Sequence, residues 1–321
     1  MAGESSVDTS HLFRDVDGVY ISTFFDEEIV RSALCYKPRP EEIFVITYPK
    51  CGTTWTQYIV YYILNNGVPP KDFTDFMLRT PFLELLGAEA ADKMTRPGAI
   101  KTHFPFHKQP YSKHAKYIYV ARNPYDCCVS FYHHVRSAPT YLLGDAPFED
   151  FFDMFLSGKV GYGDFFDHVL SWYEHRSDPN VLFLTYENLK RDTKSWVLKI
   201  ADFLGEEYGT KLRNEDSLLD KVLKDTSVES MKKAVNEDIK TLIPSLFSLP
   251  PEKQLKSVQV YKRLLNKKNT FVRGGDFVRK GVVGDYKNHF SAEHIRRMKE
   301  RIAVKTAGSD VMDLWTDLEL P

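Results

Sequence analysis

The chain lacks several features that would assign it quickly to a class of protein. Its 321 residues carry 43 Lys and Arg against 44 Asp and Glu, so the formal net charge of −1 gives no bulk attraction to nucleic acid or to an anionic membrane. The most apolar stretch, around Tyr58 to Leu64, is far shorter than a membrane span. Residues Met1 to Asp8 carry neither the basic nor the apolar region of a secretory signal, which favours a cytoplasmic protein.

Cysteine is also scarce, and its spacing fits neither a zinc site nor a redox pair. The four cysteines are Cys35, Cys51, Cys127 and Cys128. We therefore expect four reduced thiols. No repeat, low-complexity block or linker divides the chain, so we predict a flexible segment over residues 1–18 and a single domain over residues 19–321.

Hydrophobic patterning predicts an α/β domain. Four short, continuous apolar runs are typical of strands buried on both faces of a parallel sheet, and they span residues 43–47, 99–102, 117–121 and 181–185. The segments between and after them predict helices over residues 54–65, 123–133 and 192–204, and residues 225–268 are helical in composition. This alternation predicts a central parallel sheet flanked by helices, with right-handed crossovers.

The first predicted strand runs into the sequence TYPKCGTTW, residues 47–55. A loop between a strand and its helix presents backbone N–H groups and the helix dipole to an anion, and Gly52 lets the backbone approach closely. Lys50 adds a positive charge, and Thr53 and Thr54 add hydroxyl donors. The loop lacks the spacing of a Walker A motif, and a simple βα turn with a surface lysine is the alternative.

The second predicted strand ends in KTHFPF, residues 101–106. If the sheet is parallel, this end lies beside the first loop, at the edge where open α/β sheets bind ligands. There His103 would be placed as a general base, with Phe104 and Phe106 beside an apolar acceptor pocket. The alternative is a structural histidine, and the predicted position close to Lys50 favours the base.

Two further segments carry cations. Arg122 ends the third strand, in ARNPYD, and Ser130 follows two helical turns later, so both could bind one phosphate. The later segment RKGVVGDY places Arg279 and Lys280 beside Gly281, a pattern that can wrap an oxyanion. A salt bridge at the helix start is the alternative for Arg122, and a solvated surface loop is the alternative for the basic pair.

In this order and spacing, the four segments resemble the motifs of the cytosolic sulfotransferase family, TYPKSGTTW, KTHLP, RNPxD with a downstream serine, and RKGxxGDW. The resemblance runs from about Ile43 to Phe290. It implies a P-loop-like α/β fold, 3′-phosphoadenosine 5′-phosphosulfate (PAPS) as donor, 3′-phosphoadenosine 5′-phosphate (PAP) as product, and no metal. It also implies a small phenol, alcohol or amine as acceptor, with neither nucleic acid nor membrane as partner.

The resemblance further implies a role for each matching residue. The first loop would grip the 5′-phosphosulfate, Arg122, Ser130 and the RKG segment would hold the 3′-phosphate, and the remaining donor residues would approach adenine. The implied donor-binding residues are Lys50, Cys51, Gly52, Thr53, Thr54, Trp55, Arg122, Ser130, Tyr186, Thr226, Ser227, Val228, Arg279, Lys280 and Gly281. The implied catalytic residues are His103, Lys50, Lys101 and Ser130, and the implied acceptor-binding residues are Phe82, Lys101, His103 and Phe104.

The implied mechanism follows from the chemistry of these side chains. His103 would remove the acceptor proton as the oxygen or nitrogen attacks sulfur, and an imidazole that titrates near ~6.5 suits that task. Lys50 and Lys101 would stabilise the charge that develops on the bridging and sulfuryl oxygens. A nucleotide kinase with a divergent phosphate loop, and a catalytically silent PAP- or PAPS-binding protein, are the two alternatives.

Three positions depart from the family pattern. Cys51 replaces the usual serine, and a thiol beside Lys50 at a helix N-terminus should have a lowered pKa and react with oxidants or alkylating agents. Val228 stands where the family usually stacks an aromatic ring on adenine. The dimer signature KxxxTVxxxE is not recognisable after Lys287, which leaves a homodimer open.

One clue concerns the charge of the acceptor. Four acids lie in the stretch where family members carry a variable lid, namely Asp145, Glu149, Asp150 and Asp153. An acid in that lid could pair with an ammonium group, so a phenolic monoamine is one candidate acceptor. Acids in loops usually face water, which is the alternative.

Overall fold

The computed structural model describes residues 12–137, 146–250, 254–266 and 276–321. The strands in these ranges are β1 (Phe13–Val16), β2 (Val19–Ser22), β3 (Ile43–Thr47), β4 (Ala99–Thr102), β5 (Lys116–Ala121) and β6 (Val181–Thr185). The last four form one parallel sheet in the order β4-β3-β5-β6. The predicted α/β architecture with a central parallel sheet is therefore confirmed.

The strands of this sheet are apolar on both faces because both faces are covered. Every residue of β3 is buried, and its alternate side chains enter two separate cores. Phe44 and Ile46 belong to one core, whereas Ile43 and Val45 belong to the other. Three of the four sheet strands have the predicted bounds, and β5 begins one residue earlier, at Lys116.

Helices surround the sheet. Those in the described ranges are α1 (Glu27–Leu34), α2 (Thr53–Leu64), α3 (Phe73–Arg79), α4 (Leu83–Leu86), α5 (Ala88–Lys93), α6 (Pro124–Ser137), α7 (Phe148–Ser157), α8 (Phe165–Tyr173), α9 (Tyr186–Arg191), α10 (Thr193–Leu204), α11 (Glu206–Asn214), α12 (Asp216–Asp225), α13 (Val228–Ser248), α14 (Lys256–Asn266) and α15 (Ala292–Lys305). Among the described residues, no helix combines the length and the apolar character that crossing a membrane requires.

Local sequence explains where the helices that carry the site begin. α2 follows Gly52, which adopts a left-handed conformation with φ of 103°. α6 starts at Pro124, whose fixed φ suits the first helical position, and it continues to Ser137, one turn beyond the predicted end. Asp192 caps α10 with its side chain. Within the predicted helical region 225–268, the described residues form two helices, α13 and α14.

The N-terminal segment joins the domain earlier than predicted. β1 and β2 form an antiparallel hairpin whose turn residues, Asp17 and Gly18, both have positive φ. Phe13 and Val16 are buried in the core, so the hairpin is part of the domain. The predicted flexible segment over residues 1–18 is therefore too long at its C-terminal end, and its residues 1–11 lie outside the described ranges.

Candidate active site

Residues predicted from separate parts of the chain meet at one edge of the sheet. The parallel register pairs Ile46 with Thr102 and Ala121 with Thr185, so the carboxyl ends of the strands lie side by side. A cavity of about 790 Å³ opens at this edge, as expected for an open α/β sheet. The predicted residues that line it together include Lys50, His103, Arg122 and Arg279.

Contacts among the lining residues divide the cavity into two ends. Arg122 stacks on Tyr186 and Gly281 lies against Val228 at a basic end, whereas Phe25 meets Phe82 and Phe24 meets Tyr261 at an apolar end. The basic end is lined by Lys50, Gly52, Thr53, Thr54, Trp55, Arg122, Ser130, Tyr186, Val228, Arg279, Lys280 and Gly281. The apolar end is lined by Phe24, Phe25, Phe73, Phe76, Met77, Phe82, Leu85, Leu86, Met231, Leu246, Phe247, Val258 and Tyr261. Lys101, His103 and Tyr162 also line the cavity. One pocket thus offers both a site for an anion and a site for an apolar molecule.

Two residues of the loop after β3 have left-handed backbone conformations. Lys50 has φ of 71° and Gly52 has φ of 103°. A Cβ at position 52 would lie 2.9 Å from the ring of Tyr186, so glycine is required by this close approach as well as by its φ. A lysine held in this uncommon conformation is typical of a functional loop rather than of an ordinary turn.

Cys51 faces the core rather than the cavity. It is completely buried, and its Sγ lies 3.6 Å from the Sγ of Cys127 on α6. Burial, reinforced by the contact with Cys127, raises the pKa of Cys51 well above its ordinary value, and Arg122 offsets only part of this. The predicted lowered pKa is therefore wrong, because Lys50 lines the cavity whereas the thiol is packed against another thiol. Any contribution of Cys51 to donor binding is limited to its backbone.

Arg122 joins two segments of the basic end. Its Nη1 donates to the carbonyl oxygen of Lys50 at 3.2 Å, and its Nη2 donates to that of Val282 at 3.2 Å. The guanidinium lies 4.5 Å from the centre of the Tyr186 ring. Its Nε is buried and has no hydrogen-bond partner among the described residues. An unpartnered N–H at the wall of the cavity fits an anionic ligand.

Arg279 and Lys280 are held by one acid. Asp285 accepts hydrogen bonds from Arg279 Nη2 at 2.5 Å and from Lys280 Nζ at 2.7 Å. Burial alone would raise the pKa of Asp285, but these hydrogen bonds hold the pKa well below its usual range. Asp126, in the ARNPYD segment, accepts from the backbone N–H of Gly284 at 2.7 Å. The turn that follows the two cations is therefore anchored to the start of α6.

The residues predicted to approach adenine fall into two groups. Trp55, Tyr186 and Val228 line the cavity, and the rings of Trp55 and Tyr186 meet edge to face at 5.6 Å. Thr226 is completely buried and Ser227 caps α13 with its side chain, so neither lines the cavity. Thr226 supports the site indirectly, because its carbonyl oxygen accepts from Trp55 Nε1 at 2.8 Å. Direct contact of Thr226 or Ser227 with a nucleotide stays a prediction.

His103 is fixed at three points. Its Nδ1 lies 2.8 Å from the carbonyl oxygen of Thr47. Because a carbonyl oxygen only accepts, Nδ1 carries the hydrogen and the lone pair of the ring lies on Nε2. The backbone N–H of His103 donates to Glu84 Oε1 at 2.6 Å, and its carbonyl oxygen accepts from His168 Nε2 at 2.9 Å. Both the tautomer and the orientation of the ring are therefore set by the surrounding fold.

The surroundings of His103 keep its ring neutral. Burial lowers the pKa of His103 well below its ordinary value, and the nearby cations of Lys101 and Lys50 lower it further. Burial also lowers the pKa of Lys101 to about 8, while the carboxyl group of Glu84 acts in the opposite direction. A neutral imidazole beside two ammonium groups can accept a proton while the ammonium groups stabilise negative charge.

Of the three phenylalanines predicted near the acceptor, Phe82 faces the cavity and the others do not. The ring centre of Phe82 lies 5.3 Å from that of His103. Phe104 is completely buried, and its carbonyl oxygen accepts from Trp172 Nε1, so the chain turns into the core directly after His103. Phe106 also packs against Trp172. The prediction that Phe104 and Phe106 contact the acceptor is therefore wrong, because neither lines the cavity.

Three of the acids predicted to select an ammonium group lie on α7, outside the cavity lining, namely Glu149, Asp150 and Asp153. Glu149 and Asp153 pair with Arg297 on α15. Asp145 lies outside the described residues. Among the described residues that line the cavity, the one acid is the exposed Asp276. The expectation of an acidic selector is therefore wrong for the three acids on α7.

The site contains three residues that were not predicted from the sequence, Glu84, His168 and Tyr162. Tyr162 has a left-handed backbone with φ of 70°, and its ring centre lies 5.1 Å from that of His103. Its place between two glycines was the available signal. Glu84 and His168 contact the backbone of His103, and no local pattern in the sequence marks such a contact.

The basic end fits a nucleotide with more than one phosphate. Cations reach it from the loop after β3, the end of β5 and the C-terminal segment, while Trp55 and Tyr186 add aromatic rings. The unpartnered Nε of Arg122 indicates an anion close to the protein. In the described part of the chain, no three His, Cys, Asp or Glu side chains are grouped as metal ligands would be.

Known proteins are similar to this chain in sequence and in fold. A family model described as "Sulfotransferase domain" matches residues 40–245. "Sulfotransferase 1C2" of Rattus norvegicus is 33% identical over 288 residues, which cover 86% of this chain and 86% of that protein. "Amine sulfotransferase" of Oryctolagus cuniculus is 34% identical over 281 residues, which cover 86% and 84%. A crystal structure of mouse sulfotransferase SULT7A1 complexed with PAP matches with a TM-score of 0.70 and 28% identity, over 95% of this chain and 98% of that one.

Proposed function

The chain belongs to the sulfotransferase family and uses PAPS as donor, and from that premise we propose that it sulfonates the hydroxyl group of a neutral, largely apolar acceptor, with His103 as general base. PAPS supplies the sulfuryl group and leaves as PAP. The observation that carries the proposal is the position of His103, a neutral imidazole that lines a cavity with cations at one end and apolar side chains at the other.

The assignment of the base rests on the tautomer of His103. The hydrogen bond from Nδ1 to Thr47 directs the proton to one nitrogen and leaves the lone pair of Nε2 for an acceptor hydroxyl. The lowered pKa keeps the ring unprotonated throughout the neutral range, so the base is present in its active form. When it accepts the hydroxyl proton, the new imidazolium keeps its bond to the carbonyl oxygen of Thr47.

The basic end is assigned to the donor. Lys50 and the backbone N–H groups at the start of α2 would hold the 5′ side, because a helix N-terminus favours an anion. Arg122, Ser130 and the segment from Arg279 to Gly281 would hold the 3′-phosphate. Arg122 supports both assignments, since it contacts the carbonyl oxygens of Lys50 and of the segment after Gly281. Lys50 and Lys101 would stabilise charge near the sulfuryl group.

The apolar end is assigned to the acceptor. Its walls are phenylalanine, methionine, leucine and valine side chains, with the hydroxyl-bearing Tyr261 among them. Phe82 and Tyr162 contact the His103 ring edge-on, so a planar phenol between them would present its hydroxyl group to the base. A buried ammonium group would find no acidic partner among the described residues of this end, which makes its desolvation costly.

The test is transfer of a radiolabelled sulfuryl group from PAPS to matched pairs of acceptors. Each pair would compare an alkylphenol with a phenol whose side chain has the same length but ends in an amine. We expect kcat/KM for the alkylphenol to exceed that for the amine by at least about tenfold, because the charged group must lose its hydration. A preference for the amines would contradict the neutral acceptor, although the chain would remain a sulfotransferase.

Two further outcomes would decide between the proposal and its alternatives. Binding of PAP without transfer to any acceptor would favour a silent nucleotide-binding protein. Phosphoryl transfer from ATP to the same acceptors, with none from PAPS, would favour a kinase. A cytoplasmic location and a homodimer stay predictions, which cell fractionation and sedimentation of the purified chain would test.

A further inference from the structure

Glu84 lies directly behind the catalytic segment. It is completely buried in α4, the short helix that follows the cavity-lining Phe82. Lys101 N–H donates to the carbonyl oxygen of Pro81 at 2.8 Å, and Phe82 pairs with Lys101 in a parallel bridge. Residues 81–82 therefore run beside β4 and carry the side chain of Glu84 past the end of that strand.

One carboxyl oxygen of Glu84 accepts two hydrogen bonds, and the other accepts none among the described residues. Oε1 accepts from the backbone N–H of His103 at 2.6 Å and from Thr102 Oγ1 at 3.1 Å. Oε2 is buried and has no hydrogen-bond partner among the described residues. A buried carboxyl group with an unpartnered oxygen is costly to the fold, so it needs a reason beyond packing.

The charges around Glu84 supply that reason. Burial raises the pKa of Glu84 to about 7, although the hydrogen bonds from His103 and Thr102 and the charge of Lys101 lower it. Lys101, on β4, is the cation that acts on it, and its Nζ lies 4.2 Å from the centre of the Phe82 ring. The aromatic face stabilises the ammonium group only weakly and burial destabilises it, so the charge of Glu84 is its main electrostatic support.

The other titratable groups near Lys101 act in the opposite direction or are neutral. The pKa of His103 is lowered by burial, then by Lys101 and further by Lys50, so these groups are neutral or positively charged and offer Lys101 no counter-ion. His168, which contacts the carbonyl oxygen of His103 from α8, has its pKa lowered by burial to about 4 and is neutral. Glu84 is thus the acid that the described surroundings offer to Lys101.

We propose that Glu84 is a positioning residue for sulfuryl transfer, which fixes the peptide group of His103 and, as a carboxylate, keeps the ammonium group of Lys101 charged. The inference rests on the proposed function of this cavity. It adds a residue that contacts neither donor nor acceptor, and it predicts that one substitution changes both the base and the cation.

The first measurement does not need turnover. In the protein without ligand, the rate at which acetic anhydride acetylates Lys101 is followed against pH by peptide mass spectrometry, for the wild type and for Glu84→Gln. Glutamine keeps an acceptor for the His103 N–H but carries no charge. We expect the midpoint of the Lys101 titration to fall by about one pH unit, as for the loss of an opposite charge nearby.

The second measurement uses the reaction. We expect Glu84→Gln to lower kcat by about tenfold, to move the alkaline limb of kcat/KM for PAPS to lower pH, and to leave the Kd for PAP within about twofold. Glu84→Asp separates the two roles. It retains the charge but is too short for the 2.6 Å contact, so kcat should fall while the Lys101 midpoint stays near the wild-type value.

Glu42→Gln is the matched control, because Glu42 is also a buried glutamate, but its carboxylate accepts from Tyr36, Arg39 and Arg96 and not from the segment that carries His103. This variant should lower the free energy of unfolding without shifting the Lys101 titration or the pH dependence of kcat/KM. An unchanged Lys101 midpoint in Glu84→Gln, or a loss of kcat no greater than in Glu42→Gln, would overturn the inference. A wild type that transfers no sulfuryl group would instead overturn the proposed function, and the titration of Lys101 would still report on Glu84.

Discussion

His103 Nδ1 lies 2.8 Å from the carbonyl oxygen of Thr47, so the last residue of β3 orients a ring that directly follows the neighbouring strand β4. This contact depends on the register of the sheet, in which Ile46 pairs with Thr102. Because the ring is held by this hydrogen bond and packs against the rings of Phe82 and Tyr162, it would need no rearrangement before the proposed proton transfer. Positioning of this kind is a large part of what an active site contributes to rate.

The first prediction concerns His103 as the proposed general base. His103→Ala should lower kcat by about 10²–10⁴-fold and leave the Kd for PAP within about twofold, since the donor is assigned to the basic end. Steady-state kinetics and isothermal titration calorimetry would measure the two quantities. His114→Ala is a control, because His114 is exposed and lies outside the cavity lining. If the His103→Ala variant keeps most of its activity, His103 is not the general base.

A second prediction concerns the turn that carries the two cations. Gly281 has φ of 65°, and a Cβ there would lie 2.7 Å from Val228 Cγ1, so Gly281→Ala must displace a residue of the cavity wall. We expect the Kd for PAP to rise by about tenfold, which corresponds to ~1.4 kcal/mol. Gly284→Ala is the matched control, because Gly284 also has positive φ but open space where a Cβ would lie.

Calorimetry of PAP binding to the two alanine variants separates packing from backbone strain. Both substitutions place a side chain in the left-handed region, which costs about 1 kcal/mol of stability. Only the variant at position 281 should also weaken PAP binding. Equal losses of affinity in the two variants would indicate that backbone strain, and not the contact with Val228, determines the shape of the basic end.

The strands could be predicted closely because their signal is local. A strand buried on both faces of a parallel sheet is a continuous apolar run, and β3, β4, β5 and β6 each have one. The loops at their carboxyl ends then follow from topology alone, which is why Lys50, His103 and Arg122 were predicted to converge. The N-terminal hairpin was not predicted, because two strands of four residues give little periodic signal.

Side-chain directions after a strand could not be predicted in the same way. The sequence predicts that Lys50 lowers the pKa of Cys51, yet the thiol packs on Cys127, which is 76 residues away in the sequence. Phe104 follows the base directly but turns into the core. Glu84 reaches His103 from a separate segment. Each of these outcomes depends on a tertiary contact, and a single sequence does not contain that information.

The third prediction concerns the thiols. Iodoacetamide should modify the exposed Cys35 readily and Cys51 at least ~100-fold more slowly, because burial disfavours the thiolate and blocks the reagent until the fold opens. Peptide mass spectrometry after timed alkylation measures both rates in one sample. Addition of PAP should change neither rate by much, since the protein itself covers Cys51. If Cys51 is instead modified rapidly and PAP prevents this, the original prediction of a reactive thiol would be supported.

The same burial predicts the effect of Cys51→Ser. The Sγ of Cys51 lies 3.6 Å from that of Cys127 and 3.9 Å from the carbonyl oxygen of Pro49, and a smaller serine hydroxyl group would fit these buried partners less well. The free energy of unfolding should therefore fall by about 1 kcal/mol. Sulfuryl transfer should persist, because the side chain does not line the cavity. Chemical denaturation and an assay of the same preparation would show both effects. A large loss of PAP affinity with normal stability would mean that the thiol contributes directly to donor binding.

The last prediction concerns stability in acid. His168 is buried, its Nδ1 accepts from the hydroxyl group of Tyr119 at 2.9 Å, and its Nε2 donates to the carbonyl oxygen of His103 at 2.9 Å. This arrangement requires a neutral ring, and burial lowers the pKa of His168 to about 4. The unfolded chain binds a proton at this residue below about pH 6.5, whereas the folded chain does so only near pH 4.

Between these two pH values the unfolded state holds more protons. The contribution of His168 to the free energy of unfolding therefore decreases as the pH is lowered, by up to ~1.4 kcal/mol per pH unit. His168→Asn should lose about 2 kcal/mol at pH ~7, from two buried hydrogen bonds, but it removes the titrating ring. Urea denaturation from pH ~7 to pH ~5 should therefore show the gap between variant and wild type narrowing as the pH falls. His114→Asn, at an exposed histidine, should differ from the wild type by the same free energy of unfolding at both pH values. If the difference for His168→Asn also stays constant, the fold does not hold the His168 ring neutral.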